Sequence, residues 1–289
     1  MRQLWEAAKR TIWPQLAAIV IPAGQTMVAL LGGIDLSIPG VIALANIATA
    51  QLTGEGWPFW QVALLLLVLS LLIGGINGFV SSAFRINPLI VTLGVGAVIT
   101  GAILVWTGGQ PTGRAPGWLN AFVAPSGTTF GLPVPPILVL WAVFGLVAVV
   151  LLRRTAYGKR VYAVGASQPA ARFALVSNTR IWTVTFALSA VAAAVTGVML
   201  AGFSTQGDIR IAAPYLFSTI ASVVIGGTSL VGARGCYGRT ILGAIILTEI
   251  TTLLVANGLG AAAQQTMLGI IILVVVASYG REPSVAQRL

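Results

Sequence analysis

Gly32-Gly33-Ile34-Asp35-Leu36-Ser37-Ile38-Pro39-Gly40 is the stretch on which the fold reading turns. Apolar runs flank it, Trp13 to Leu31 before and Ile38 to Leu52 after. A carboxylate between two such runs is costly unless it is paired, hydrated or at a membrane face, so Asp35 is a functional-site candidate. The two glycines before it and Pro39-Gly40 after it break any helix there. Broken backbone at membrane depth persists only where protein or a water-filled cavity covers it. The stretch therefore predicts a membrane protein with an interrupted helix near Gly32–Gly40.

Composition agrees. The 289 residues are 57% hydrophobic and 8% charged, against roughly 25% charged in soluble domains. The net charge is +10, with 16 Lys+Arg and 6 Asp+Glu. In this setting the excess reflects basic cytoplasmic loops rather than nucleic acid. With no histidine and one cysteine, Cys236, the chain has no His/Cys metal cluster and no internal disulfide.

Apolar segments follow at 12–31, 38–53, 59–83, 88–106, 133–152, 181–203, 214–232, 238–256 and 262–280. Most reach the ~20 residues of a spanning helix. The expectation is an all-α polytopic protein of about nine segments, forming one transmembrane permease domain over 1–289. The second segment is short enough to be tilted or broken.

Charge sets the orientation. The stretch 153–180 carries Arg153, Arg154, Lys159, Arg160, Arg172 and Arg180 and no acid. The positive-inside rule makes it cytoplasmic. Counting segments outward puts Arg85, Arg234, Arg239, Arg281 and Arg288 on the same side, and Arg114 and Arg210 outside. Asp35 also falls on the cytoplasmic side, where it or Ser37 can cap the amides of the helix that starts there. A structural or gating role for Gly33, Asp35 and Ser37 is favoured over substrate contact. Arg2, Lys9 and Arg10 break the pattern, because five segments before 153–180 place the N-terminus outside.

No catalytic set is present. Ser-His and Cys-His pairs need histidine. A Walker A loop needs Gly-x-x-x-x-Gly-Lys-[Ser/Thr]. Of the two lysines, Lys159 follows Gly158 but precedes Arg160. The chain thus binds no cofactor, and any ATP and Mg act on another chain. Polar residues inside the spans, notably Gln25, Asn46, Asn77, Thr92, Gln264 and Gln265, can hydrogen-bond sugar hydroxyls without charge. Their commoner role is helix–helix bonding. Glu249 can line a cavity, pair between helices or couple a proton, and satisfaction by neighbouring threonine hydroxyls is its simpler role.

Several motifs in order resemble one family. They are Gly24-Gln25-Thr26-Met27-Val28 leading into Gly32 to Ser37, then Asn77-Gly78, then Asn87-Pro88-Leu89-Ile90-Val91-Thr92-Leu93-Gly94. Gly158, Tyr162-Ala163-Val164-Gly165 and Ala170-Ala171-Arg172 follow, then Ile225-Gly226-Gly227-Thr228-Ser229-Leu230. The set resembles the permease subunits of ribose/xylose/arabinose-type ABC importers. The resemblance implies a multi-pass protein of a bacterial inner (plasma) membrane, usually with ten helices. It implies an ABC ATPase subunit, a second permease copy or paralogue, and a periplasmic or lipid-anchored sugar-binding protein as partners, with lipid around the bundle.

The resemblance also makes 153–180 the coupling loop, with Arg153, Arg154, Gly158, Lys159, Arg160, Gly165, Ala170, Ala171 and Arg172 against the ATPase. Gly226 and Gly227 join the gating set. Gln25, Asn46, Asn77, Thr92 and Glu249 are the expected substrate path. Two departures stand out. A helix that precedes Gln15 in the family has no counterpart here, which would explain the N-terminal conflict. Gly165-Ala166-Ser167-Gln168 stands where a Gly-Gly-Asn pattern is usual, which fits one member of an unequal pair. The expected function is import of a monosaccharide or related polyol. The alternatives are an ion-coupled secondary transporter and a non-transporting partner of a full-length permease.

Overall fold

A computed structural model describes residues 20–279, except 125 and 133. The chain forms helices α1 (Ile21–Leu30), α2 (Ile38–Gly54), α3 (Phe59–Ala83), α4 (Pro88–Thr107), α5 (Gly117–Val123) and α6 (Pro136–Arg154). They are followed by α7 (Ala156–Ala166), α8 (Gln168–Phe173), α9 (Asn178–Ser204), α10 (Tyr215–Ile225), α11 (Tyr237–Ala256) and α12 (Ala261–Tyr279). Local chemistry sets many of the ends. Proline occupies the first turn of α1, α2, α4, α6 and α8, where its missing N–H is not needed. Asn87 caps α4 by accepting the Leu89 amide at 3.0 Å. Gly108 closes α4 in the left-handed region at φ 60°.

Among the described residues, five helices are long and apolar enough to cross a membrane: α3, α4, α6, α9 and α11. The count of nine spanning segments is not reached. Segment 38–53 is a 17-residue helix, and 214–232 is helical only over Tyr215–Ile225 because Gly226-Gly227 ends it. The third shorter apolar helix covers Ala262–Val274. Most of segment 12–31, and with it Arg2, Lys9 and Arg10, lies outside the described residues.

The centre of the bundle is α9, which packs on α1, α2 and α3. Its sequence is rich in small residues, so neighbours come close. A methyl added at Gly74 or Gly78 of α3 would fall on the Phe186 or Trp182 carbonyl oxygen of α9. Such backbone-to-backbone packing replaces the hydrophobic drive that is missing in lipid. The rim is apolar outward: Leu72, Ile76 and Phe79 of α3 and Ile90, Val98 and Val105 of α4 are exposed. A surface of this kind is what hydrocarbon solvates.

Charges sort to two ends. One end holds Arg85, Arg153, Arg154, Lys159, Arg160, Arg172, Arg180, Arg234 and Arg239, and no described acid. The connections at the other end hold Arg114 and Arg210 beside Glu55 and Asp208.

Candidate functional site

The interruption at Gly32–Gly40 is real: α1 stops at Leu30 and α2 starts at Ile38. Gly32 turns the chain at φ +81°, a conformation that glycine adopts without strain. Residues 33–37 have no regular structure. They do not stay at the basic end but run back into the bundle. Asp35, 1% exposed, meets Ser189 eleven residues after the start of α9, roughly 16 Å along that helix at 1.5 Å per residue. Asp35 therefore sits well inside rather than at the cytoplasmic face.

A polar network holds it there. Asp35 Oδ1 accepts the Ser37 amide at 3.0 Å and the Ser37 hydroxyl at 2.6 Å. Its Oδ2 accepts the Ser189 hydroxyl at 2.8 Å. Asn77 Nδ2 of α3 donates to Ser37 Oγ at 2.9 Å. Gln25 Oε1 of α1 accepts the Asp35 amide at 3.3 Å. Thr92 of α4 accepts the Leu36 amide at 3.0 Å and donates to Pro88 O. Five helices meet on one short segment.

This corrects the expected cap. Ser37 makes no side-chain cap bond to α2; its hydroxyl donates to Asp35 instead. Gln25, Asn77 and Thr92 are all fully buried in the network, and Gln25 Nε2 and Asn77 Oδ1 have no partner there.

The remaining expected path residues lie elsewhere. Asn46 of α2 accepts the Asp208 amide at 2.8 Å, tying α2 to the connection before α10. Glu249 is exposed on α11.

The basic end contains a second junction. Leu30 O, the last carbonyl of α1, accepts the Ala233 amide at 2.9 Å. A methyl on Gly165 of α7 would fall on the same oxygen, and one on Gly232 would stand 3.0 Å from Gly165 O. Gly232 itself is at φ +105°. The end of α1, the end of α7 and the 229–235 turn thus touch backbone to backbone. Gly226 and Gly227 serve this turn: Gly226 caps α10 and lies against Thr240 and the Arg239 carbonyl of α11.

Between 153 and 180 the chain is not a loop but two helices. Thr155 accepts the Gly158 amide and starts α7; Ser167 accepts the Ala170 amide and starts α8. The capping hydroxyls explain why Gly165-Ala166-Ser167-Gln168 leads straight into a second helix. Gly158 packs so tightly on Leu152 O that a side chain has no room. Val161, Val164 and Ala171 are buried, whereas Arg153, Arg154, Lys159, Arg160, Ala170 and Arg172 are exposed. Tyr162 Oη donates to Gly235 O at 2.9 Å, and Tyr157 pairs with Thr185 of α9 at 2.8 Å. Phe173 and Leu175 are 90% and 94% exposed beside Arg172. A cavity of about 600 Å³ opens beside the α1–α7 junction, with Gly32, Ser81, Arg85, Gly165 and Trp182 on its wall.

Near this end Arg153 Nη2 donates to Cys236 Sγ at 3.4 Å. Burial works against ionisation of this thiol, but the Arg153 bond and the Arg239 interactions outweigh it and hold its pKa below the ordinary thiol value.

Sequence reading missed Ser189, the Leu30–Ala233 bond and the exposed Phe173–Leu175 tip. Only Ser189 carried a signal, a lone hydroxyl in the run Phe186-Ala187-Leu188-Ser189-Ala190.

A helical bundle with sorted charges, an apolar rim and a buried break defines a multi-pass membrane protein. The chain belongs to the family described as branched-chain amino acid transport system / permease component, which it matches over residues 15–276. It is similar to the ribose import permease protein RbsC of Haemophilus influenzae, 30% identical over 89% of this chain and 80% of that protein. It is similar also to the autoinducer 2 import system permease protein LsrD of Klebsiella pneumoniae (30%, over 89% and 78%) and to the fructose import permease protein FruF of Bifidobacterium longum (29%, over 89% and 72%). No solved structure matches it. The protein is a multi-pass inner-membrane permease of an ABC importer, a transport subunit rather than an enzyme.

Proposed function

We propose that this permease admits a neutral monosaccharide or related polyol, powered by ATP and Mg on a separate ABC ATPase chain that seats on α7 and α8. The observation that carries the mechanism is the backbone junction of Leu30, Gly165 and Ala233. A displacement of α7 cannot leave Leu30 behind without breaking that packing. Leu30 lies five residues before Asp35, where the break grips α1, α2, α3 and α9. Movement at the basic end, cytoplasmic by the positive-inside rule, thus has a short path to the centre. The adjoining cavity of about 600 Å³ leaves room for the shift.

Arg160 and Arg172 offer charge and Phe173 and Leu175 offer apolar area to the ATPase, a mixture suited to a docking surface. Two of the relatives are named for the import of ribose and of fructose, which supports the sugar class.

Glu249 supports pairing with a second permease copy or paralogue. It is exposed on α11 between Leu242, Ile246 and Leu253, themselves 59%, 48% and 61% exposed. A carboxylate in such a stripe needs a protein or water partner rather than lipid. The sugar-binding protein would meet the end opposite the basic one.

The test is co-expression with a candidate ABC ATPase and a sugar-binding protein in a host without sugar uptake of its own. Arg160→Glu and Ala170→Asp should abolish ATPase co-purification and uptake together. Full co-purification and uptake in both variants would end the docking assignment.

A further inference from the structure

We infer that the cavity between α10, α11 and α12 holds the sugar ring during passage; this rests on the sugar-import reading above. The cavity has a volume of about 230 Å³. That is below the roughly 300–1,000 Å³ of drug-sized ligand sites, and it suits one ring.

The walls divide by chemistry. Ser218, Ser222, Thr248, Thr251, Gln264 and Gln265 supply polar groups, while Phe217, Leu247 and Leu268 are apolar. Ser222 donates its proton to Ser218 O, so its oxygen remains as an acceptor. The two glutamine amides each bring two donors and an acceptor. A sugar has matching parts, hydroxyls around its edge and apolar C–H groups on its faces.

No wall residue is charged. A zwitterionic amino acid would carry an ammonium and a carboxylate into this space without a counter-charge to offset their lost hydration. The cavity therefore selects against the substrate class in the family's description and for a neutral polyol.

Position agrees as well. Tyr215 is the first residue of α10, Gln264 lies in the first turn of α12, and Thr248 lies in the second half of α11. These place the cavity toward the end opposite the basic cluster, where a sugar would be delivered. The short α10, 11 residues long, links it inward. Eight residues beyond the end of α10, Ala233 bonds Leu30 in the junction that adjoins α7. Occupancy and coupling thus share one element.

The test uses the importer assembled with its ATPase and binding protein, with labelled D-ribose, D-xylose, L-arabinose and D-fructose as probes. Thr248→Val and Gln264→Leu should each reduce uptake of the best probe by about tenfold, as expected for loss of one ordinary hydrogen bond. They should also change its ratio to the second-best probe, while Thr248→Ser restores both. Co-purification with the ATPase checks that the variants assemble. A purely structural role would lower all probes equally. Unchanged uptake and ratios in both variants, or equal losses for every probe, overturn the cavity assignment alone. No uptake of any probe by the unaltered chain overturns the sugar-import reading and takes the cavity assignment with it.

Discussion

Two polar regions interrupt this apolar bundle, and they are built on opposite plans. Around Asp35 the polar groups turn toward one another: carboxylate, hydroxyl, amide and backbone close a network that joins five helices. Between α10, α11 and α12 polar residues line an open space. The difference teaches that burying a polar residue in a membrane helix can serve either to lock helices together or to leave hydrogen-bonding capacity for a guest. Residue type does not separate the two uses, since Gln25 locks and Gln264 lines the cavity.

The sharpest way to break the contrast is to compare stability losses. Asp35→Ala removes the acceptor of the Ser37 and Ser189 hydroxyls and of the Ser37 amide, and unmet buried groups cost about 1–3 kcal/mol each. The detergent-purified chain should then lose most of its thermal stability, whereas Thr248→Val should change it by under about 1 kcal/mol. Equal melting shifts would erase the distinction.

A smaller effect is expected for Ser189→Ala, which removes one bond from Asp35: about 1–3 kcal/mol, with Ser189→Thr intermediate because the methyl must fit against Gly24. Hydrogen exchange at the start of α2 would report it, and unaltered exchange would remove Ser189 from the network.

Glu249→Gln probes a third orientation, outward. It should leave the melting temperature of the single chain nearly unchanged and alter pairing of permeases in nanodiscs, read by cross-linking. A large loss of single-chain stability would instead place Glu249 among the locking groups.

The least effect on the fold belongs to Cys236. Its thiol pKa is lowered by Arg153 and Arg239 against the opposing effect of burial, so its thiolate fraction rises at a lower pH than for an ordinary thiol. Maleimide labelling of the purified chain should therefore gain rate early on the pH scale. Arg153→Gln should shift that profile upward, and an unshifted profile would discount the Arg153 bond.

Much of this architecture was legible in the chain. Composition gave the membrane, glycine and proline gave the break, and arginine placement gave the two ends. Depth was not legible. Counting segments located Asp35 at a face because it treats each connection as a surface loop, and nothing in Gly33 to Ser37 states that the backbone turns back inside. Gln25 and Asn77 were singled out as polar groups, but their meeting at Asp35 and Ser37 depends on how α1 and α3 are rotated about α9. The cavity was hidden for another reason. Ser218 and Ser222 of α10, Thr248 of α11 and Gln264 of α12 come to one space only through the packing of three helices, which no single stretch of sequence states.

The partners of Asp35 have a consequence in solution chemistry. Its carboxylate is held by two hydroxyls and a backbone amide, not by an arginine or lysine. Such buried bonds are little affected by mobile ions, whereas contacts at the exposed arginines of α7 and α8 are screened beyond about 10 Å at 0.1 M salt. Raising ionic strength should therefore separate the protein's two tasks, detaching a partner from the basic end while the centre of the bundle keeps its shape.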